Sequence, residues 1–185
     1  MPLSSHHPLR RLLVALVVSC ALLAGTTACG GSDDDATTAS ASATSTAERQ
    51  KLAKTRFVAN AGLAAGATYQ WIVKPWKAGK FKKGADGQKF ALVKAGLAGA
   101  FTYNRLKAAT KNAQGDPLLS KAVAPLEAGI ASLKDLPSKL RKGDGTDSVA
   151  STFDDVINSV KNAGKDAGAT VTDKVPSLSQ LNSGS

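Results

Sequence analysis

The chain has 185 residues, 24 Lys+Arg against 14 Asp+Glu, a net charge of +10, and 43% apolar residues. That is enough apolar material for one folded domain, and it excludes collagen-like and wholly disordered classes. Two Cys permit at most one disulfide, which excludes a disulfide-stapled mini-scaffold.

Arg10 and Arg11 precede an uncharged run over residues 12–23, LLVALVVSCALL, too short to cross a bilayer as an ordinary helix. Small residues follow over 24–28, and then Cys29. Basic, apolar, small, cysteine: the order resembles a bacterial lipoprotein signal, with Ala28 in the small position before the cut and Gly30-Gly31-Ser32 as the spacer after it. The resemblance implies removal of residues 1–28, lipid on the sulfur of Cys29, and a chain held on the extracytoplasmic face of the cell membrane. The alternative, an ordinary secretory cut after Ala28, gives a secreted protein.

Such processing has a chemical consequence. Met1, His6, His7 and Cys20 leave with the signal, so the remaining chain has no His, no Met and one Cys. Histidine-based nucleophilic machinery is then excluded. So is ordinary zinc, copper or haem ligation. No catalytic residue, metal ligand or cofactor is expected, and the chain reads as a non-enzyme.

Residues 29–44 are small, polar and acidic (Asp33, Asp34, Asp35), with nothing to bury, and read as a disordered tether. A helical domain is predicted over 45–171. Ser45-Thr46-Ala47-Glu48 is a capping box that opens the first helix, and Pro75 predicts its end near Val73. A loop over 74–84 leads to a second helix from Gly87 to Ala113, capped by Asp86. Asp116-Pro117 is a cap followed by Pro at the first helical position. Leu119, Val123, Leu126, Ile130 and Leu133 follow helical spacing. Pro125 predicts a kink within this helix, and Pro137 predicts its end. After a short basic turn over 138–142, a last helix opens at Thr146 or Asp147 and carries Val149, Phe153, Val156, Ile157 and Val160 on one stripe. Residues 172–185 read as a frayed, disordered tail. The class is all-α: a small bundle of about four helices in two hairpins.

One internal repeat stands out. AGLAAGATY over residues 61–69 recurs as AGLAGAFTY over 95–103. With the hairpin centred near residue 80, Gly62 is predicted to face Gly99, Ala65 to face Gly96, Tyr69 to face Leu92, and Val58 to face Tyr103. Small residues then meet along a close-packed seam.

Charge is uneven. Residues 49–111 hold 14 Lys+Arg against Asp86 alone, whereas residues 112–185 hold eight against nine acidic residues. The densest basic stretch is Lys74, Lys77, Lys80, Lys82 and Lys83, interleaved with Trp76 and Phe81. These seven residues form the candidate site, because lysines beside aromatic rings suit an anionic, partly apolar surface such as anionic lipid or a wall polymer. Trp76 and Phe81 would also serve to stack bases, but Arg forks and nucleic-acid motifs are missing, so nucleic acid is disfavoured.

With its many Ala and Gly and its Ser/Thr/Ala tether, the chain resembles small secreted lipoproteins of actinomycete bacteria, a resemblance that specifies no activity. The expectation is a lipid-anchored, non-enzymatic envelope protein that binds an anionic component through its first hairpin. The alternative is an accessory ligand- or protein-binding helical module on the cell surface, its protein partner unknown.

Overall fold

Helix α1 runs from Ala36 to Thr68 in the computed structural model, which describes residues 36–184 and their side chains from residue 45. The signal region 1–28, Cys29 and the tether up to residue 35 lie outside the described residues. The chain divides into two units, Met1–Ala39 and Ser40–Ser185. Of the first, only residues 36–39 are described, and they are helical. All that follows concerns the second. Every described element is helical, as the sequence predicts.

The start of α1 differs from expectation. Ser45 to Glu48 lie inside the helix rather than at its start. The stretch ahead of them is rich in alanine, the strongest helix former, which lets the helix propagate past the box.

Pro75 does not end this helical rod. A π-helical turn, Tyr69–Val73, continues directly into α2, Lys74–Lys77, with Pro75 in its first turn. The Lys74 N–H donates to Tyr69 O, five residues back. Proline has no N–H and its ring crowds the carbonyl four residues earlier. Widening the turn to π geometry moves that carbonyl aside, so the rod runs one turn further.

A loop over 78–87 leads to α3, Gln88–Ala113, which packs antiparallel to α1. Across this hairpin the Thr102 hydroxyl donates to Ala64 O at 3.4 Å and lies 3.1 Å from the Thr68 hydroxyl. Arg105 Nη1 reaches Asn60 Oδ1 at 3.5 Å. The predicted pairing of Gly62 with Gly99 and of Ala65 with Gly96 is therefore wrong, and Tyr69 is 52% exposed rather than packed on Leu92. The extra turn at Lys74–Lys77 moves the loop toward the C-terminus, and every pair across the hairpin shifts with it.

The glycines of the repeat do permit close approach, but to other partners. A Cβ on Gly62 would lie 2.5 Å from Thr172 O, and one on Gly66 would strike the Lys174 carbonyl. The Lys174 N–H donates to Gly62 O at 2.8 Å. On α3, Gly96 faces Arg141 and Pro137, and Gly99 faces Phe153 and Pro137. Residues 64–68 are all buried, so α1 is enclosed on every side there, which only small side chains allow without holding neighbours apart.

The second half of the chain wraps this pair. Asp116 caps α4, Pro117–Val123, by accepting from the Leu119 N–H at 2.9 Å, and Lys54 sits 3.6 Å from the same carboxylate. The predicted break at Pro125 is a 3₁₀ turn, Ala124–Leu126, before α5, Glu127–Ser132. Pro137 behaves differently from expectation: it opens α6, Leu136–Lys142, where the missing N–H costs nothing. Helix α7, Thr146–Asp166, buries Val149, Phe153, Ile157 and Val160, with Val156 at the margin.

Residues 172–184, expected to form a frayed tail, are largely exposed, with Pro176 and Leu181 their buried points of attachment. After the Gly168 turn (φ 70°) the chain passes along α1 at Gly62 and Gly66 and enters α8, Leu178–Ser183. A capping box of Ser177 and Gln180 starts α8, and Leu181 is fully buried. The helix is followed by Gly184.

Candidate functional site

The lysine loop is held from beneath. Phe81 is buried in the core. The Gln88 side chain ties the loop above it, donating to Phe81 O at 3.1 Å and accepting from the Gly84 N–H at 3.3 Å. Gly79 and Gly84 take positive φ (68° and 83°), which lets the chain reverse within a few residues. The Lys82 N–H closes one turn onto Gly79 O at 3.1 Å, and the Ala85 N–H closes the next onto Lys82 O at 3.0 Å.

Lys74, Lys77, Lys80, Lys82 and Lys83 are all exposed. The ion pairs of the described residues are Lys54–Asp116 and Lys161–Asp173, neither of which involves the loop. The loop therefore keeps its positive charge uncompensated by direct carboxylate contact.

The two predicted aromatic partners are largely taken by the fold. Phe81 packs into the core beneath the loop. Trp76 is half-buried against the core, and its indole Nε1–H donates to Asp147 Oδ1 at 2.6 Å, tying α2 to the first turn of α7.

The lysines divide between two depressions. Lys82 and Lys83 line one of about 680 Å³ with Trp76 and Phe81, where Lys142 joins them but Asp144 and Asp147 oppose them. Lys74 and Lys80 line another of about 460 Å³, between the π-helical turn and the start of α3. Its walls include Trp71, Phe90 and Lys94, with Asp86 the sole acid among its lining residues. Lys94 Nζ stands 3.9 Å from the Phe90 ring centre and 5.3 Å from that of Trp71, a cation between two π faces.

Trp71, Phe90 and Lys94 are not among the seven predicted site residues. One sequence signal marks them. Phe90 and Lys94 are four apart on α3, and Phe90 lies off the apolar seam of Leu92, Gly96, Gly99, Tyr103 and Leu106. A large ring off the buried face is a surface feature: Phe90 is 63% exposed.

Among the described residues no group of three or more His, Cys, Asp or Glu converges as a metal site, and no helix is long and apolar enough to cross a membrane. Comparison of the chain with protein-family models, with curated proteins and with solved structures finds no match.

Proposed function

We propose that the protein is a non-enzymatic, lipid-anchored envelope protein that engages an anionic membrane or wall surface through the basic end of its first hairpin. The observation that carries the reading is the set of five exposed lysines over residues 74–83, without carboxylate partners, on α2 and the loop that follows it. Near an anionic membrane each such lysine contributes about 1 kcal/mol, so the group suffices to orient a body anchored elsewhere. The anchor rests on the residues around Cys29. A second reading, an accessory ligand-binding module, is favoured by the 460 Å³ depression beside the same loop.

Two experiments test this. In cells, Cys29→Ser is expected to abolish lipid labelling; a mutant still labelled with lipid overturns the anchor. In vitro, the chain from Gly30 onward is expected to co-sediment with anionic vesicles or wall polymer, more weakly as salt rises, because exposed charges are screened beyond about 8 Å at physiological ionic strength. Lys→Gln at Lys77, Lys80, Lys82 and Lys83 together is expected to weaken binding by roughly 100-fold, given about 1 kcal/mol each and partial redundancy. The same change at Lys121, Lys134 and Lys165 is expected to have little effect. Salt-insensitive binding, or none to any anionic surface, overturns the reading.

A further inference from the structure

We propose that the depression between the π-helical turn and α3 is a specific seat for one anionic phospholipid, its phosphate among Lys74, Lys80 and Lys94 and its acyl portion against Trp71 and Phe90. The inference rests on the surface-binding reading and deepens it, replacing diffuse attraction at this point with a defined pocket. Four independent features converge here.

The first is size and lining. A volume of about 460 Å³ lies within the usual range for small-ligand sites, and apolar walls with a few polar groups are the usual lining. Three lysines against Asp86 leave the depression positive, which selects an anion. The two rings select one that carries an apolar part.

The second is the state of Lys94. Its ammonium is held by the faces of Phe90 and Trp71 and by no carboxylate. A carboxylate would neutralise the charge; a π face positions it and leaves it available to an incoming oxyanion.

The third is Trp71 itself. Its Nε1 is buried and has no hydrogen-bond partner, although buried indole donors ordinarily find one. The residue sits in the π-helical turn, a geometry that recurs at functional positions. The Trp71 side chain lines the depression, so a ligand seated there changes the surroundings of this donor and makes its N–H a reporter of occupancy.

The fourth decides between a lipid and a soluble anion. Phe90 and Val93, three apart on α3, are 63% and 48% exposed, so an apolar edge runs outward from the depression. Exposed apolar side chains flanked by Lys89 and Lys94 fit the boundary of a lipid layer, with the rings entering the acyl region and the lysines at the headgroups.

The test uses the ¹⁵N-labelled chain from Gly30 onward, which contains the whole of the unit Ser40–Ser185. The chain has two tryptophans, hence two indole N–H signals, assigned by Trp76→Phe. Titrants are a short-chain phosphatidylglycerol below its micelle concentration, the matching phosphatidylcholine, and inorganic phosphate. The Trp71 signal is expected to move saturably with the anionic lipid and not with the zwitterionic one, while the Trp76 signal stays. Phe90→Ser and Lys94→Met are each expected to weaken that titration at least tenfold with melting curves little changed, since Phe90 is exposed and Lys94 half-exposed. Lys82→Gln with Lys83→Gln, in the other depression, is expected to leave it within twofold.

A Trp71 signal unmoved by anionic lipid, with salt-sensitive vesicle binding intact, overturns the pocket and spares the surface reading. A Trp71 titration that persists while vesicle and wall-polymer binding fail supports the pocket and removes the surface reading. Equal affinity for inorganic phosphate overturns the lipid assignment.

Discussion

Gly66→Ala is expected to destabilise the protein by about 3 kcal/mol, the upper end for overpacking, although alanine is the better helix former. The added methyl would collide with the Lys174 carbonyl group and come within 2.7 Å of the Val175 nitrogen. Both are backbone, so neither can rotate away, and the segment must lift off α1. At Gly96 the colliding group is mainly the exposed Arg141 side chain, met at its Cγ, which gives way by turning about the Cα–Cβ bond, with Pro137 O at 3.0 Å. Gly96→Ala is accordingly expected to cost within about 1 kcal/mol. Urea unfolding of the two variants checks the difference. Trypsin cleavage after Lys174 gives a second readout, which Gly66→Ala should accelerate. Wild-type stability with Lys174 equally protected would show that the segment does not depend on Gly66.

The other large effect is expected at Phe153. This ring is fully buried on α7, and its tip meets α3 where a Cβ on Gly99 would lie 3.0 Å from it. Truncation to alanine is expected to cost about 3–5 kcal/mol, a fall in Tm of roughly 10 °C for a chain of this size. Gly99→Ala alone should cost about 1 kcal/mol, the crowding against Phe153 and Pro137 outweighing the gain in helix propensity. With Phe153→Ala present, the methyl enters vacated space and the same change should stabilise by about 1 kcal/mol. The two substitutions should therefore couple by about 2 kcal/mol in a double-mutant cycle. Additive costs would refute the contact.

What the sequence revealed depended on how local each signal is. The stripe on α7 and the Asp116-Pro117 start of α4 are set by neighbours within one or two turns, and both stand where predicted. Pro125 likewise interrupts its helix at the expected place. Pro75 and Pro137 misled because a proline sits as well inside the first turn of a helix as beyond its last. Only the backbone around each distinguishes the two. The AGLAAGATY repeat signalled close approach correctly. Its partner depended on loop length and on a C-terminal segment whose buried apolar residues, Val171, Pro176 and Leu181, show no recognisable period. At the candidate site, the lysines were legible as a charge run. Their aromatic neighbours were not: Trp76 and Phe81 lie next to them in sequence but serve packing. Trp71 stands one turn before Lys74, and Phe90 joins it only because the hairpin brings the start of α3 against the π-helical turn.

The seating of residues 172–174 on α1 bears on when the fold can be completed. Gly62 and Gly66 emerge from the ribosome well before their cover, which lies about 110 residues further along the chain (62 to 172). Until then the glycine groove of α1 is open, and the Gly62 carbonyl lacks the N–H of Lys174. The α1–α3 hairpin and the capped start of α4 can form before residues 172–174 are made, but enclosure of α1 cannot. Contacts this distant in sequence also close slowly, because ordering the intervening chain precedes any gain from the contact. Clipping the chain just before Lys174 should therefore leave a partly assembled helical body that retains its first hairpin but exposes the groove, a form that proteases and chaperones would meet at each round of synthesis.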